Sequence, residues 1–253
     1  MKKKDDIYPP FWLVVVAVLS ITGIYSILKM AGGLGVSNSA EKMVNDYAKS
    51  NGMSLADYPE EVMDMLEVDE DTKDFVLNYP QRVKNVFDGE IDLSEYAGCA
   101  QPPLLMQWDS RWGYFSYNGG VIGLKGSAPT SLSMAAIYKL QDTSLNPRYI
   151  AEMAAENDWE NKPEKLLSEG ARMLGISVKE IPSSDSQIRK ALSEGNTVMC
   201  LTDGNYLSEA IVIRGTSESG GYLINDPMSR SKSEKEYNYS QLQSHLKKIW
   251  SYS

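Results

Sequence analysis

The sequence predicts an α+β fold. Apolar residues recur at helical spacing through the first half of the chain, and short apolar runs (Thr197–Leu201, Ala210–Arg214, Tyr222–Asn225) crowd the second half. The links between those runs are short, which suits antiparallel strands; parallel strands need long crossovers. Helices first and strands later is an α+β order, not a strict alternation. The chain has 253 residues, 42% hydrophobic and 23% charged, enough for a sizeable core and close to the globular average.

At the N-terminus, 22 residues from Ile7 to Leu28 pass without a charge, and their most apolar part opens with Phe11-Trp12-Leu13-Val14-Val15-Val16-Ala17-Val18-Leu19. At about 1.5 Å per helical residue this run reaches about 33 Å, enough to cross a hydrocarbon layer of about 30 Å. Pro9 and Pro10 precede it, where helix entry tolerates proline, and Tyr8 and Trp12 suit the interface. Lys2, Lys3 and Lys4 lie in front of it, with no comparable basic cluster behind Lys29. The positive-inside bias then puts the N-terminus in the cytoplasm and the rest outside. A cleaved signal peptide is the rival reading, although its apolar part is usually shorter and Ser37-Asn38-Ser39-Ala40 makes a weak cleavage site. The expected organisation is a cytoplasmic stretch 1–10, a transmembrane helix 11–30, a linker and helical segment 31–98, and a globular domain 99–253. This describes a single-pass protein of the cell membrane with an extracellular C-terminal domain.

Residues 39–88 read as helical. Ala40, Met43, Val44 and Tyr47 share one face. Ser54 is placed to cap a second helix carrying Val62, Met63, Met65 and Leu66, and Asp69-Glu70-Asp71 opens a third with Phe75, Val76 and Leu77. Acids at a helix start have an electrostatic explanation, and the spacing of a calcium loop is missing. Beyond Gln101-Pro102-Pro103, helices are expected near Pro129–Leu140, Pro147–Asn157, Pro163–Leu174 and Asp185–Glu194. A further strand is expected at Ile176–Ile181, and an amphipathic helix at Ser240–Lys248.

Composition narrows the chemistry. The formal charge is −9 with a pI of about 4.8, which argues against nucleic-acid binding. Two cysteines, Cys99 and Cys200, and one histidine, His245, exclude a disulfide scaffold and any metal site rich in thiolates or imidazoles. No metal or cofactor is expected. Cys200 sits in an apolar run and reads as a buried thiol, although a Cys99–Cys200 disulfide is allowed outside the cell. His245 reads as structural.

Three stretches stand out. One is Leu104–Gly113, with Gln107 and Trp108. Another is Gly123-Leu124-Lys125-Gly126-Ser127-Ala128-Pro129-Thr130, a glycine loop entering a helix. The last is Glu209–Gly215 with the later Asn225-Asp226-Pro227. A side chain at position 127 sits near the positive end of the following helix, where a thiol would ionise readily. The residue is a serine, whose hydroxyl needs a general base.

These stretches, in this order, resemble the bacterial peptidase family thirty-nine-like domains of the papain-like cysteine peptidase superfamily, which includes the enzymes that cut leader peptides after double glycine. The family motifs are Gly-Cys-Gly-Pro-Thr before a helix, Gly-His-Phe-Ile-Val on a strand, and a later Asn-Asp-Pro. The likeness runs from about Tyr58 to the C-terminus, through Asp74–Pro80 and the closing Ile249-Trp250-Ser251-Tyr252. It implies a papain-like cysteine peptidase fold, a helical part plus an antiparallel sheet, over residues 99–253. It also places Ser127 at the nucleophile, Ala128 at the glycine after it, Ser208-Glu209 at the Gly-His pair, Asp226 at the acid that orients the histidine, and Gln107 at the oxyanion-stabilising glutamine.

Serine for cysteine loses most of the anionic nucleophile. Glutamate for histidine replaces a base that titrates near neutrality with one near pH 4.3. Glu209 beside Asp226 would also bring two negative charges together, so that one takes up a proton or the pair separates in solvent. The resemblance therefore implies an inactive peptidase-like domain that binds a peptide or protein partner. The alternative is a hydrolase using Ser127 with Glu209 or Lys125 as base. Ser229-Arg230-Ser231-Lys232 also has a Ser-x-x-Lys spacing, in a polar loop with nothing else to support it.

Overall fold

The computed structural model describes residues 38–253. The expected membrane span over residues 11–30 lies outside the described residues; among those described, no helix is long and apolar enough to cross a membrane.

The α+β expectation holds. A six-stranded sheet, every pairing antiparallel, runs in the order β3-β8-β4-β5-β6-β7. Its strands are β3 (Val178–Ile181), β4 (Thr197–Thr202), β5 (Ala210–Thr216), β6 (Tyr222–Asn225), β7 (Glu236–Tyr237) and β8 (Leu246–Tyr252). A separate hairpin, β1 (Ser116–Tyr117) and β2 (Gly120–Val121), turns through Asn118 and Gly119, both at positive φ (49° and 70°). Asparagine and glycine tolerate that geometry at a two-residue hairpin turn.

The helices fall close to their expected places. They are α1 (Asn38–Ser50), α2 (Lys73–Arg82), α3 (Ser127–Leu140), α4 (Pro147–Glu156) and α5 (Asp185–Ser193). Asn146 caps α4 by accepting from the Tyr149 N–H, with Pro147 in its first turn, and Ser184 caps α5 through the Gln187 N–H. The stretch 163–173 is helical but contains a π-type turn at Leu166–Gly170.

Two expectations are corrected. The single helix expected after Ser54 is broken into a 3-10 turn (Leu55–Asp57) and the short helices Glu60–Met63 and Met65–Val68. Pro59 has no N–H to continue a helix from the first turn, and Ser54 donates its backbone N–H to Asp57 Oδ2 (2.8 Å), closing that turn on itself. The amphipathic helix expected at Ser240–Lys248 is helical only at Tyr239–Leu242. Residues 243–245 turn, and from Leu246 the chain enters β8, which pairs with β3 on one side and β4 on the other. Its apolar residues gain more from alternating between the two faces of a sheet than from one face of a short helix. Trp250 and Tyr252 bury on one face and Ile249 on the other.

The sheet is apolar on both faces. Met199, Leu201, Ala210, Val212, Trp250 and Tyr252 face α3 and α4, while Val198, Cys200, Ile211, Ile213 and Ile249 face α5. Period-two alternation of this kind is what two covered faces require. Helix α3 is buried from Ser127 through Ile137, so it is the central helix and not a surface one. A third core joins Val44, Tyr58, Val62 and Phe75 of the helical segment to Tyr114 and Val121. Residues 38–83 are therefore packed onto the body of the molecule.

Candidate functional site

The body of the molecule carries a cleft of about 330 Å³ whose walls include Gln107, Ser127 and Glu209. Residues 102 apart in sequence meet there for a local reason. Ser127 is the first residue of α3, and one turn further on the buried Ser131 hydroxyl donates to the Ala210 carbonyl (2.9 Å). That bond seats the helix start against the start of β5, beside Glu209.

Gln107 is held from two directions. Its backbone N–H donates to Pro227 O (2.8 Å), and its side-chain Nε2 donates to Gly123 O (2.9 Å). The partner is a carbonyl, so the amide orientation is decided: nitrogen faces Gly123, and Oε1 is left buried without a partner. Gly123 has to be glycine here, because a Cβ would strike the Phe75 ring. One of the two N–H groups on the nitrogen that the family resemblance assigns to an oxyanion is thus engaged by the backbone.

Asp226 does not line the cleft. It is fully buried beneath it, directly after β6. Its carboxylate accepts from the Ser208 hydroxyl, the Ser208 N–H (3.1 Å) and the Met228 N–H (3.0 Å). Glu209 is exposed. The two carboxylates take the separated arrangement, one solvated and one buried among donors. Burial, then the negative charges of Glu160 and Glu209, push the neighbouring Tyr117 phenol above its ordinary range.

The other basic candidates are engaged elsewhere. Lys125 lines the cleft but pairs with Glu61 (3.0 Å). In the Ser-x-x-Lys stretch, the buried Ser229 hydroxyl donates to Asp69 Oδ2 (2.9 Å), and the Lys232 ammonium donates to Tyr206 O. His245 lies against Asp203 (3.2 Å) and its ring meets Tyr206 at 5.5 Å, so it braces the loop 203–208 that forms one cleft wall. None of these groups hydrogen-bonds the Ser127 hydroxyl.

Both cysteines are free; Cys200 is buried, and Cys99 is half-buried. No group of acidic, histidine or cysteine side chains suited to a metal ion is present among the described residues.

Two functional contacts escape the sequence reading. Ser208 reads only as a missing glycine, yet it is the partner of Asp226. Asp69 reads as a helix-start acid, and it does accept from the Asp71 N–H, but it also receives Ser229 from across the fold. A hydroxyl beside each acid's eventual location is the only signal in the chain, and it is too common to be diagnostic. Comparisons with family models, curated proteins and solved structures return no match to this chain.

Proposed function

We propose that this chain is a membrane-anchored, extracytoplasmic domain of papain-like architecture that binds a peptide or protein partner in its cleft without cleaving it. The observation that carries the reading is the hydrogen bonding of Asp226. The acid expected to orient a base spends its carboxylate on Ser208 and Met228, and the residue at the base position is an exposed glutamate. The placement of Ser127 at the start of a core helix, Glu209 ahead of β5 and Asp226 behind β6 supports the papain-like arrangement. A cleft keeps peptide affinity without turnover, because ground-state binding and transition-state stabilisation are separate requirements.

The test is titration of the full chain with glycine-rich peptides and with cell-surface extracts, followed by mass spectrometry of the peptides. Saturable binding with intact peptide is expected. Absence of saturable binding removes the reading. Cleavage or fluorophosphonate labelling that disappears in Ser127→Ala replaces it with a hydrolase.

A further inference from the structure

The loop 203–208 supplies Gly204, Asn205, Tyr206, Leu207 and Ser208 to the cleft wall. Its base is fixed by Thr202, whose Oγ1 accepts from the Gly204 N–H (3.0 Å) and donates to Ser208 O (2.8 Å), and by Ser208 on Asp226. Further out it is held by the Lys232 ammonium on Tyr206 O and by His245, the one histidine of the chain. His245 meets the loop at three points. Its Nδ1 lies 3.2 Å from both carboxylate oxygens of Asp203, its carbonyl accepts from the Asp203 N–H (2.9 Å), and its ring centroid is 5.5 Å from that of Tyr206. The two side chains of the pair are each 23% exposed, so water screens them only in part.

We propose that His245 and Asp203 form a pH-sensitive clasp on the cleft wall, tight when the imidazole is protonated and slack when it is neutral. The clasp acts on the cleft of the reading above, but the state of the loop is read without any ligand, so the two can fail separately. Imidazole is the side chain whose charge ordinarily changes between pH 5 and 8. Protonated, it faces the carboxylate as a cation, and a charge-assisted hydrogen bond is about twice as strong as a neutral one. Neutral, it keeps an N–H donor toward Asp203 in one tautomer only; the other sets a lone pair against the carboxylate. The added hold is therefore present below the imidazole's titration range and is lost as pH rises through it. Asp203 stays charged throughout. The Asn205 N–H above all, with the His245 ring and the Asn205 amide, holds its carboxyl below the usual range against the opposing effect of burial. The other ionisable groups around the clasp are Tyr206, Lys232 against the Tyr206 ring (5.2 Å), the exposed Lys247, and Lys248, which pairs with Glu164 and Glu180. Lysine and tyrosine as residue types titrate well above this range and glutamate below it, which leaves the imidazole as the group that switches.

The experiment is hydrogen–deuterium exchange of the full chain at about pH 5.5 and pH 8, in wild type, His245→Asn and Asp203→Asn. Dividing each variant's exchange rate over residues 203–208 by the wild-type rate at the same pH cancels the intrinsic pH dependence of exchange. Asparagine offers an N–H where Nδ1 stood but cannot ionise. His245→Asn is expected to exchange the loop about two- to fivefold faster than wild type in acid, the scale of a partly exposed ion pair, and at the wild-type rate in base. Asp203→Asn is expected to show the same pattern, since it removes the other charge. A ratio that does not change with pH overturns the proposal and leaves His245 a structural brace. A pH-dependent ratio in His245→Asn that Asp203→Asn does not share overturns the assignment to this pair. Circular dichroism checks both folds, and a variant that loses its fold is read through the other.

Discussion

The Ser208 backbone and hydroxyl both donate to the carboxylate of Asp226, which is fully buried. Ser208 comes just before β5 and Asp226 just after β6, so this pair ties together the adjoining ends of two neighbouring strands and fixes the loop that forms the cleft wall.

Removing that hydroxyl has a measurable cost. Ser208→Ala leaves one carboxylate oxygen of Asp226 with fewer donors in a buried site. A loss of about 1–3 kcal/mol in unfolding free energy is expected, read by urea denaturation. Freeing Asp226 also has a chemical consequence. Ser127→Cys alone is expected to react slowly with iodoacetamide at neutral pH, because no base adjoins it. Combining it with Ser208→Gly and Glu209→His is expected to speed alkylation at least tenfold, since an imidazole then lines the same cleft as the thiol and Asp226 has lost its hydroxyl partner.

The buried link between the helical segment and the body makes stability depend on acid. Burial raises the pKa of Asp69, but hydrogen bonds from the Asp71 N–H, the Ser229 hydroxyl and the Ser231 N–H outweigh it and hold the carboxyl below its usual range. A depressed carboxyl stabilises the fold above its unfolded pKa of about 3.9, and that contribution is lost as pH falls through the lower folded value. Ser229→Ala is expected to shrink the contribution and shift the acid-unfolding midpoint to higher pH, while costing about 1–3 kcal/mol at neutral pH. An unchanged acid midpoint would show that Asp69 gains nothing from Ser229.

The thiols separate by access. Burial raises the pKa of both Cys99 and Cys200, but Cys99 is half-buried and Cys200 wholly buried. An Ellman assay under native conditions is expected to count one slow thiol, faster as pH rises, and two in guanidinium. Reduction before the assay is expected to add none.

The central position of β8 is tested by its largest side chain. Trp250 is 2% exposed on a strand paired on both sides, and Trp250→Ala is expected to cost about 3–5 kcal/mol. Met173, 57% exposed, is the matched control, and Met173→Ala is expected to stay within about 0.5 kcal/mol of wild type.

Order and spacing along the chain are enough to read the α+β class, most helix starts and the strands β4 to β6. Those features rest on contacts within a few residues: a capping side chain at Asn146 or Ser184, or the unbroken apolar run Ala210–Ile213. It is the family resemblance that marks Gln107, Ser127, Glu209 and Asp226 as residues of interest. Folding alone settles what each of them touches. The partner of Asp226 lies 18 residues away and that of Asp69 160 away. Whether the last seven residues before Ser253 coil or extend depends on two neighbouring strands offering backbone partners. A local pattern limits which conformations are cheap; burial and distant hydrogen bonds select among them, and only chain closure brings those partners within reach.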